Sequence, residues 1–169
     1  MMARRRFEYA LDLKHFELPV VPDSSAKIRW RNPSVEDKQV LAELMFASYY
    51  GTIDYDGETL SDALKEIESF LSGVPNQDWL GYSWLAFSES ELAAACLIGF
   101  WPERSAPLIA FIMTAPRWKG KHLATAALLR SLQELAANQY AEVRAVITED
   151  NEPSEKLFTR TGFKRLSSD

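Results

Sequence analysis

The sequence predicts a single α/β domain, and three observations lead there. Segments of alternating apolar and polar residues interleave with segments of three- and four-residue apolar spacing. They run strand, two helices, three strands, helix, strand, helix, strand. The run from Pro107 to Thr114 is almost continuously apolar. A strand without alternation implies burial on both faces, as in the middle of a helix-covered sheet. The chain has 169 residues, 47% apolar and 25% charged, enough for one packed core and too few for two ordinary domains.

Residues 1–26 read as an N-terminal extension, and 27–169 as the body of the domain. In the extension Phe7, Tyr9, Leu11 and Leu13 alternate with charged or small residues, ahead of Pro19, Pro22 and Asp23-Ser24-Ser25. That alternation predicts an added edge strand, with a partner-binding arm as the alternative. Lys27 to Arg31 alternates again and opens the body. Asn32-Pro33-Ser34 supplies a turn and an N-cap for a helix over 35–50, where Val40, Leu41, Leu44, Met45 and Ser48 share a face. After a polar loop, a second helix spans about 60–71 and stops at Ser72-Gly73-Val74-Pro75-Asn76. Strands at 83–87 and 92–100 are joined by a tight turn, Ser88 to Glu91. The buried strand 107–114 follows. The strongest helix, about 122–138, carries Leu123, Ala127, Leu128, Leu132 and Leu135 on one face. A short strand at 143–148, a helix at 153–161, and a turn at Gly162-Phe163 into a last short strand complete the chain.

Charge and composition exclude several classes. With 19 Lys+Arg against 24 Asp+Glu, the net charge of −5 disfavours long nucleic acid as a partner. No uninterrupted apolar stretch is long enough to span a membrane. Arg4-Arg5-Arg6 resembles the start of an export signal, but charges at Glu8, Asp12 and Lys14 interrupt what would be its apolar core. The three arginines read as a solvated terminus, with a phosphate-binding arm as the alternative. One cysteine excludes a disulfide framework, and a cytoplasmic location is expected. Cys96 reads as a small core residue. His15 and His122 are too isolated to form a metal site, so none is expected. Gly120-Lys121 lacks the upstream glycine and the Ser/Thr of a Walker loop. Trp79, Trp84 and Trp101 read as packing residues.

The informative junction is the buried strand ending at Thr114, a basic turn, and a helix whose first turn holds no acid. Free N–H groups and the positive dipole end of a helix form an anion site. Lys119 and Lys121 strengthen that field, and Gly120 permits close approach to the backbone. Phosphate binding and a solvated basic turn are the two readings of this junction.

Pro116-Arg117-Trp118-Lys119-Gly120-Lys121-His122-Leu123-Ala124 resembles the phosphate loop of the GNAT (GCN5-related) N-acyltransferases, Gln/Arg-x-x-Gly-x-Gly/Ala after a strand and a proline. Asn151 to Phe163 resembles that family's Asn-x-x-Ala/Ser-x-x-Leu-Tyr/Phe-x-x-x-Gly-Phe segment. The resemblance runs from about Lys27 to Leu166. It implies a central mixed sheet with helices on both faces and a V-shaped splay between the family's fourth and fifth strands, here 107–114 and 143–148. It implies acetyl-CoA, or another acyl-CoA, with its pyrophosphate on the amides of Lys119, Gly120, Lys121, His122, Leu123, Ala124 and Thr125. The pantetheine arm would bond to backbone groups near Ile112, Met113 and Thr114. Asn151 matches a residue that contacts that arm, with a helix cap as its alternative role. Phe158 stands at the position of the tyrosine that protonates the leaving thiolate in many relatives.

Two departures follow from the same comparison. His122 replaces the first glycine of the motif, and Phe158 has no proton to give. The thiol of CoA, with a pKa of about 8.5 by analogy with cysteine, leaves as thiolate without a dedicated acid. No carboxylate lies on the strand 108–113, leaving Glu103, Glu149 and Asp150 as candidate bases acting through water. Tyr50, Asp54 and Asp56 lie in the region that walls the acceptor pocket in relatives, and suit a cationic amine. The chain is thus expected to be an acyl-CoA-dependent N-acyltransferase for a small-molecule or peptide amine. A non-catalytic CoA-binding or interaction module is the rival. A final strand usual in relatives after Gly162-Phe163 is expected to be replaced by the N-terminal segment or by a second subunit, as in a homodimer.

Overall fold

The structure is a computed structural model, described over residues 3–21 and 27–167. The linker signals at Pro22 and Asp23-Ser24-Ser25 lie outside the described residues. Among those described, the elements in order are β1 (Arg6–Asp12), β2 (Arg29–Arg31), α1 (Lys38–Tyr49), α2 (Leu60–Gly73), β3 (Trp84–Ser88), β4 (Glu91–Trp101), β5 (Ala106–Thr114), α3 (Leu123–Ala137), β6 (Glu142–Thr148), α4 (Glu152–Thr161) and β7 (Lys164–Arg165). The strands form one sheet in the order β2-β3-β4-β5-β6-β1-β7. All neighbours are antiparallel except β5 and β6.

Alternation along the central strands feeds two cores. Ala95, Leu97 and Met113 bury with Leu41, Leu44 and Ile67 under α1 and α2. Cys96, Ile98 and Ile109 bury with Leu128, Leu132, Leu135 and Phe158 under α3 and α4. β4 is buried without interruption from Leu92 to Ile98, because helices cover it on both sides.

β5, expected to be buried on both faces, is only half-buried at Leu108, from Ala110 to Ile112, and at Thr114. The reason lies in its pairing. On the β4 side the register shifts between Leu97↔Phe111 and Ile98↔Ile109, leaving Ala110 as a bulge. On the β6 side only Leu108↔Arg144 are in register, and beyond them the parallel strands diverge. A bulge increases local twist and bends its strand, consistent with this V-shaped opening.

β1 is not the edge strand that its alternation predicts. It lies between β6, with which it pairs from Arg6↔Thr148 to Asp12↔Glu142, and the two-residue β7. Tyr9 and Leu11 bury on the α3/α4 side. The N-terminal segment thereby fills the sheet position beside β6 within the same chain. Among the described residues, no helix is long and apolar enough to cross a membrane, and no group of three His, Cys, Asp or Glu side chains is placed to hold a metal ion.

Candidate functional site

The divergence of β5 from β6 opens a cleft of about 1040 Å³, walled by β5, the turn into α3, β6, α4 and the loop after α1. Pro116 ends β5, and a single 3-10 turn, Pro116–Trp118, leads to the phosphate-loop residues. Gly120 and His122 both take left-handed backbone conformations, with φ of 78° and 62°. His122 is the N-cap of α3 in a conformation that glycine adopts freely and histidine at some cost. It makes no side-chain cap, and no acid lies in the first turn of α3. The amides of Leu123, Ala124 and Thr125 therefore begin the helix without a side-chain partner, in the cleft wall.

The cleft brings together Ile112, Thr114, Lys119, Gly120, His122, Leu123, Ala124, Thr125, Asn151 and Phe158, all selected from the sequence. Met113 and Lys121 are outside it. The Met113 side chain points into the α1/α2 core, as alternation from Ile112 requires, and Lys121 is exposed. Phe158 is buried and edge-on to Phe163, with centroids 5.0 Å apart.

Asn151 takes the helix-cap role and adds a bond that its sequence did not announce. Its Oδ1 accepts from the Ser154 amide at 3.3 Å and caps α4, while its Nδ2 donates to Asp54 Oδ2 at 2.9 Å. That second bond ties the α1–α2 loop to the end of β6. Asp54 is in the cleft wall; Asp56 and Tyr50 are not. Tyr50 is 63% exposed and packs at a tilt against Tyr55. Asp150 lines the cleft, whereas Glu149 does not. Glu103 occupies the turn before β5, at the opposite end of that strand from Thr114, too far along the sheet to serve the cleft.

Tyr49, Lys156 and Arg160 also line the cleft and were not selected from the sequence. Tyr49 ends α1 beside Ser48, whose Oγ accepts from the Thr114 amide at 3.2 Å. Burial, and then the Asp54 carboxylate, push its phenol above the usual tyrosine range, so it stays protonated. The signal for Tyr49 was present: it follows Met45 at four residues and Leu41 at eight, whereas Tyr50 falls off that face. Lys156 and Arg160 are four residues apart on α4, one above the other on the cleft side.

Comparison with known proteins agrees with this geometry. No curated protein matches the sequence. The GCN5-related N-acetyltransferase from Sphaerobacter thermophilus superimposes with a TM-score of 0.73 at 16% identity, over 96% of this chain and 49% of that one. This chain therefore spans about half the length of that protein. The PaiA N-acetyltransferase from Thermoplasma acidophilum, solved with coenzyme A, gives 0.62 at 19% identity, over 85% of this chain and 93% of that one. AAC(6')-Iy, solved with the bisubstrate analogue CoA-S-monomethyl-acetylneamine, gives 0.60 at 14% identity, over 85% and 95%. At these identities the likeness establishes the fold. The acetyltransferase (GNAT) family model matches residues 41–163, most of the chain and both walls of the cleft, and the chain belongs to that family.

Proposed function

We propose that the chain is an acyl-CoA-dependent N-acyltransferase that moves an acetyl group from acetyl-CoA to an amine within a ternary complex. One observation carries the reading. An open-sided strand, β5, and the uncapped start of α3 meet in a single cleft. The strand offers unpaired backbone groups to an extended amide-bearing arm, and the helix offers N–H groups and its dipole to a pyrophosphate. Lys119, Lys156 and Arg160 add cations around the same cleft. The complexes of the two relatives with coenzyme A and a CoA-containing analogue support the choice of ligand.

Bound there, acetyl-CoA supplies a thioester to a nucleophile. The chain's own groups do the rest. Backbone groups on the open side of β5 polarise the carbonyl, and Asp54 holds the amine and takes its proton. Tyr49, a phenol kept protonated in the cleft wall, would donate a hydrogen bond to the leaving thiolate, a contact Phe158 cannot make, while the amine's proton goes to Asp54. Rate comes largely from positioning. Phe158 favours the rival reading, a module that binds CoA without turnover. Calorimetry with acetyl-CoA followed by a thiol-release assay over an amine panel separates the two. Binding with amine-dependent release, slowed about tenfold in Tyr49→Phe, is expected. Binding without release from any amine leaves the module.

A further inference from the structure

The three arginines at positions 4–6 are not absorbed by acyl transfer, and the fold brings one of them, Arg6, beside the cleft. β1 runs antiparallel to β6, so Arg6 lies directly opposite Thr148, a residue of the cleft wall. The Glu149 amide donates to the Arg5 carbonyl at 2.8 Å, which ties this part of the chain to the end of β6. Residues opposite each other in an antiparallel pair project from the same face. Val143, Ala145, Ile147, Tyr9 and Leu11 bury on the α3/α4 side. Arg6 therefore shares the other face with Thr148 and Val146, and Val146 is a 40% exposed apolar residue of the cleft wall.

Two other arginines near this face are already engaged. Arg144 contacts Glu8 at 3.3 Å and Glu142 at 3.1 Å, and Arg104 contacts Glu8 at 2.6 Å. Among the described residues Arg6 makes no ion pair, although Glu149 and Asp150 occupy the turn just beyond β6. The wall thus presents a carboxylate, Asp54, held in place by Asn151, and an apolar stretch, Val146, and beside it, across from Thr148, stands the guanidinium of Arg6. A simple cationic amine is drawn to the first group and repelled by the last. A molecule with both charges meets a partner at each end.

Resting on the acyltransferase reading, we infer that the acceptor is an amine that also carries an anionic group, a carboxylate or a phosphate, received by Arg6 while Asp54 receives the amine. The test measures binding rather than turnover. A series of ω-amino acids, ω-aminoalkyl phosphates and plain alkylamines of matched length is titrated calorimetrically into full-length protein saturated with CoA. One or both anionic series should bind roughly fivefold more tightly than the matched alkylamine, the size of a half-exposed charged contact of about 1 kcal/mol. Which series gains identifies carboxylate or phosphate. Arg6→Gln should bring the ratio toward one, and Arg6→Glu should turn the preference toward diamines. A ratio cancels any loss of folded protein. Equal or weaker binding of both anionic series, binding by no amine, or a preference that persists in Arg6→Gln would overturn the inference. Thiol release from acetyl-CoA with the same amines judges acyl transfer separately: an intact ratio without release sinks that reading and leaves this one standing.

Discussion

His122 shows how a side chain can depart from a pattern while the backbone keeps it. The family glycine is missing, yet φ of 62° is retained, and the imidazole stands in the cleft wall beside Lys119. His122→Gly removes about 1 kcal/mol of left-handed strain and restores a similar amount of chain entropy to the unfolded state, so stability should change little. Acetyl-CoA affinity should fall about fivefold by calorimetry if the ring contacts the phosphates. Tighter binding would identify the ring as an obstruction. Asp54 and Asp56 were indistinguishable as letters in an acidic loop. The bond from Asn151 separates them, and it joins residues 97 positions apart. Asp54→Asn should raise the KM for an amine about tenfold, and Asp56→Asn should not. An unchanged KM in Asp54→Asn would remove the loop from the acceptor site.

Elements were legible where their signals are local. The face of α1, the stop after α2 and the uncapped start of α3 follow from spacing, breakers and first-turn residues alone. The sheet position of β1 was not legible, because alternation reports one buried face and says nothing of which strands lie alongside. Two contacts between elements give measurable expectations. Arg31 Nη1 and Nη2 donate to the two carboxylate oxygens of Asp37 at 2.8 and 2.7 Å, joining β2 to the turn before α1. Chiefly that guanidinium, against the opposing effect of burial and with help from the Ser34 amide, holds the Asp37 carboxyl below its usual range. A carboxyl lowered on folding contributes its stability in full above its unfolded value near 4, and loses it as pH falls through the folded value. Asp37→Asn should thus cost about 2 kcal/mol in urea unfolding at pH 7, with the gap to wild type closing below about pH 4. A gap constant with pH would mean that the charge is not what matters. At the other end of the sheet, Gly162 ends α4 at φ of 112°, and a Cβ there would lie 2.7 Å from Phe16 Cε2. Gly162→Ala should lower stability by about 2 kcal/mol, seen as an earlier urea midpoint. An unchanged midpoint would show that Phe16 yields freely.

Across the whole molecule, the cleft was legible as a motif and its walls were not. Residues 119–125 and Asn151 announce a ligand through charge, glycine and capping chemistry. The apolar run of β5 looked doubly buried because an open strand beside a cleft and a central strand share the same apolar composition. Only the loss of register after Leu108↔Arg144 separates them. A ligand seated there would touch β5, β6, α3, α4 and the α1–α2 loop at once, and so bind only the folded chain. Acetyl-CoA at a hundredfold excess over its Kd should add about 2.7 kcal/mol and raise the melting temperature by about 5–11 °C. A melt insensitive to acetyl-CoA would argue against the proposed ligand.

The place of β1 beside β6 has a consequence for how the protein is made. Glu8 and Arg144 meet across 136 positions of sequence. During synthesis the segment bearing Tyr9 and Leu11 leaves the ribosome long before the strand that will cover it. Until then those side chains have no partner in the sheet, and the late closure of so long a loop delays folding. The side of the cleft formed by Val146, Ile147 and Thr148 is therefore among the last surfaces to assemble. A nascent chain released before β6 would carry β4, β5 and α3, yet not the strand and helix that close the other side of the cleft.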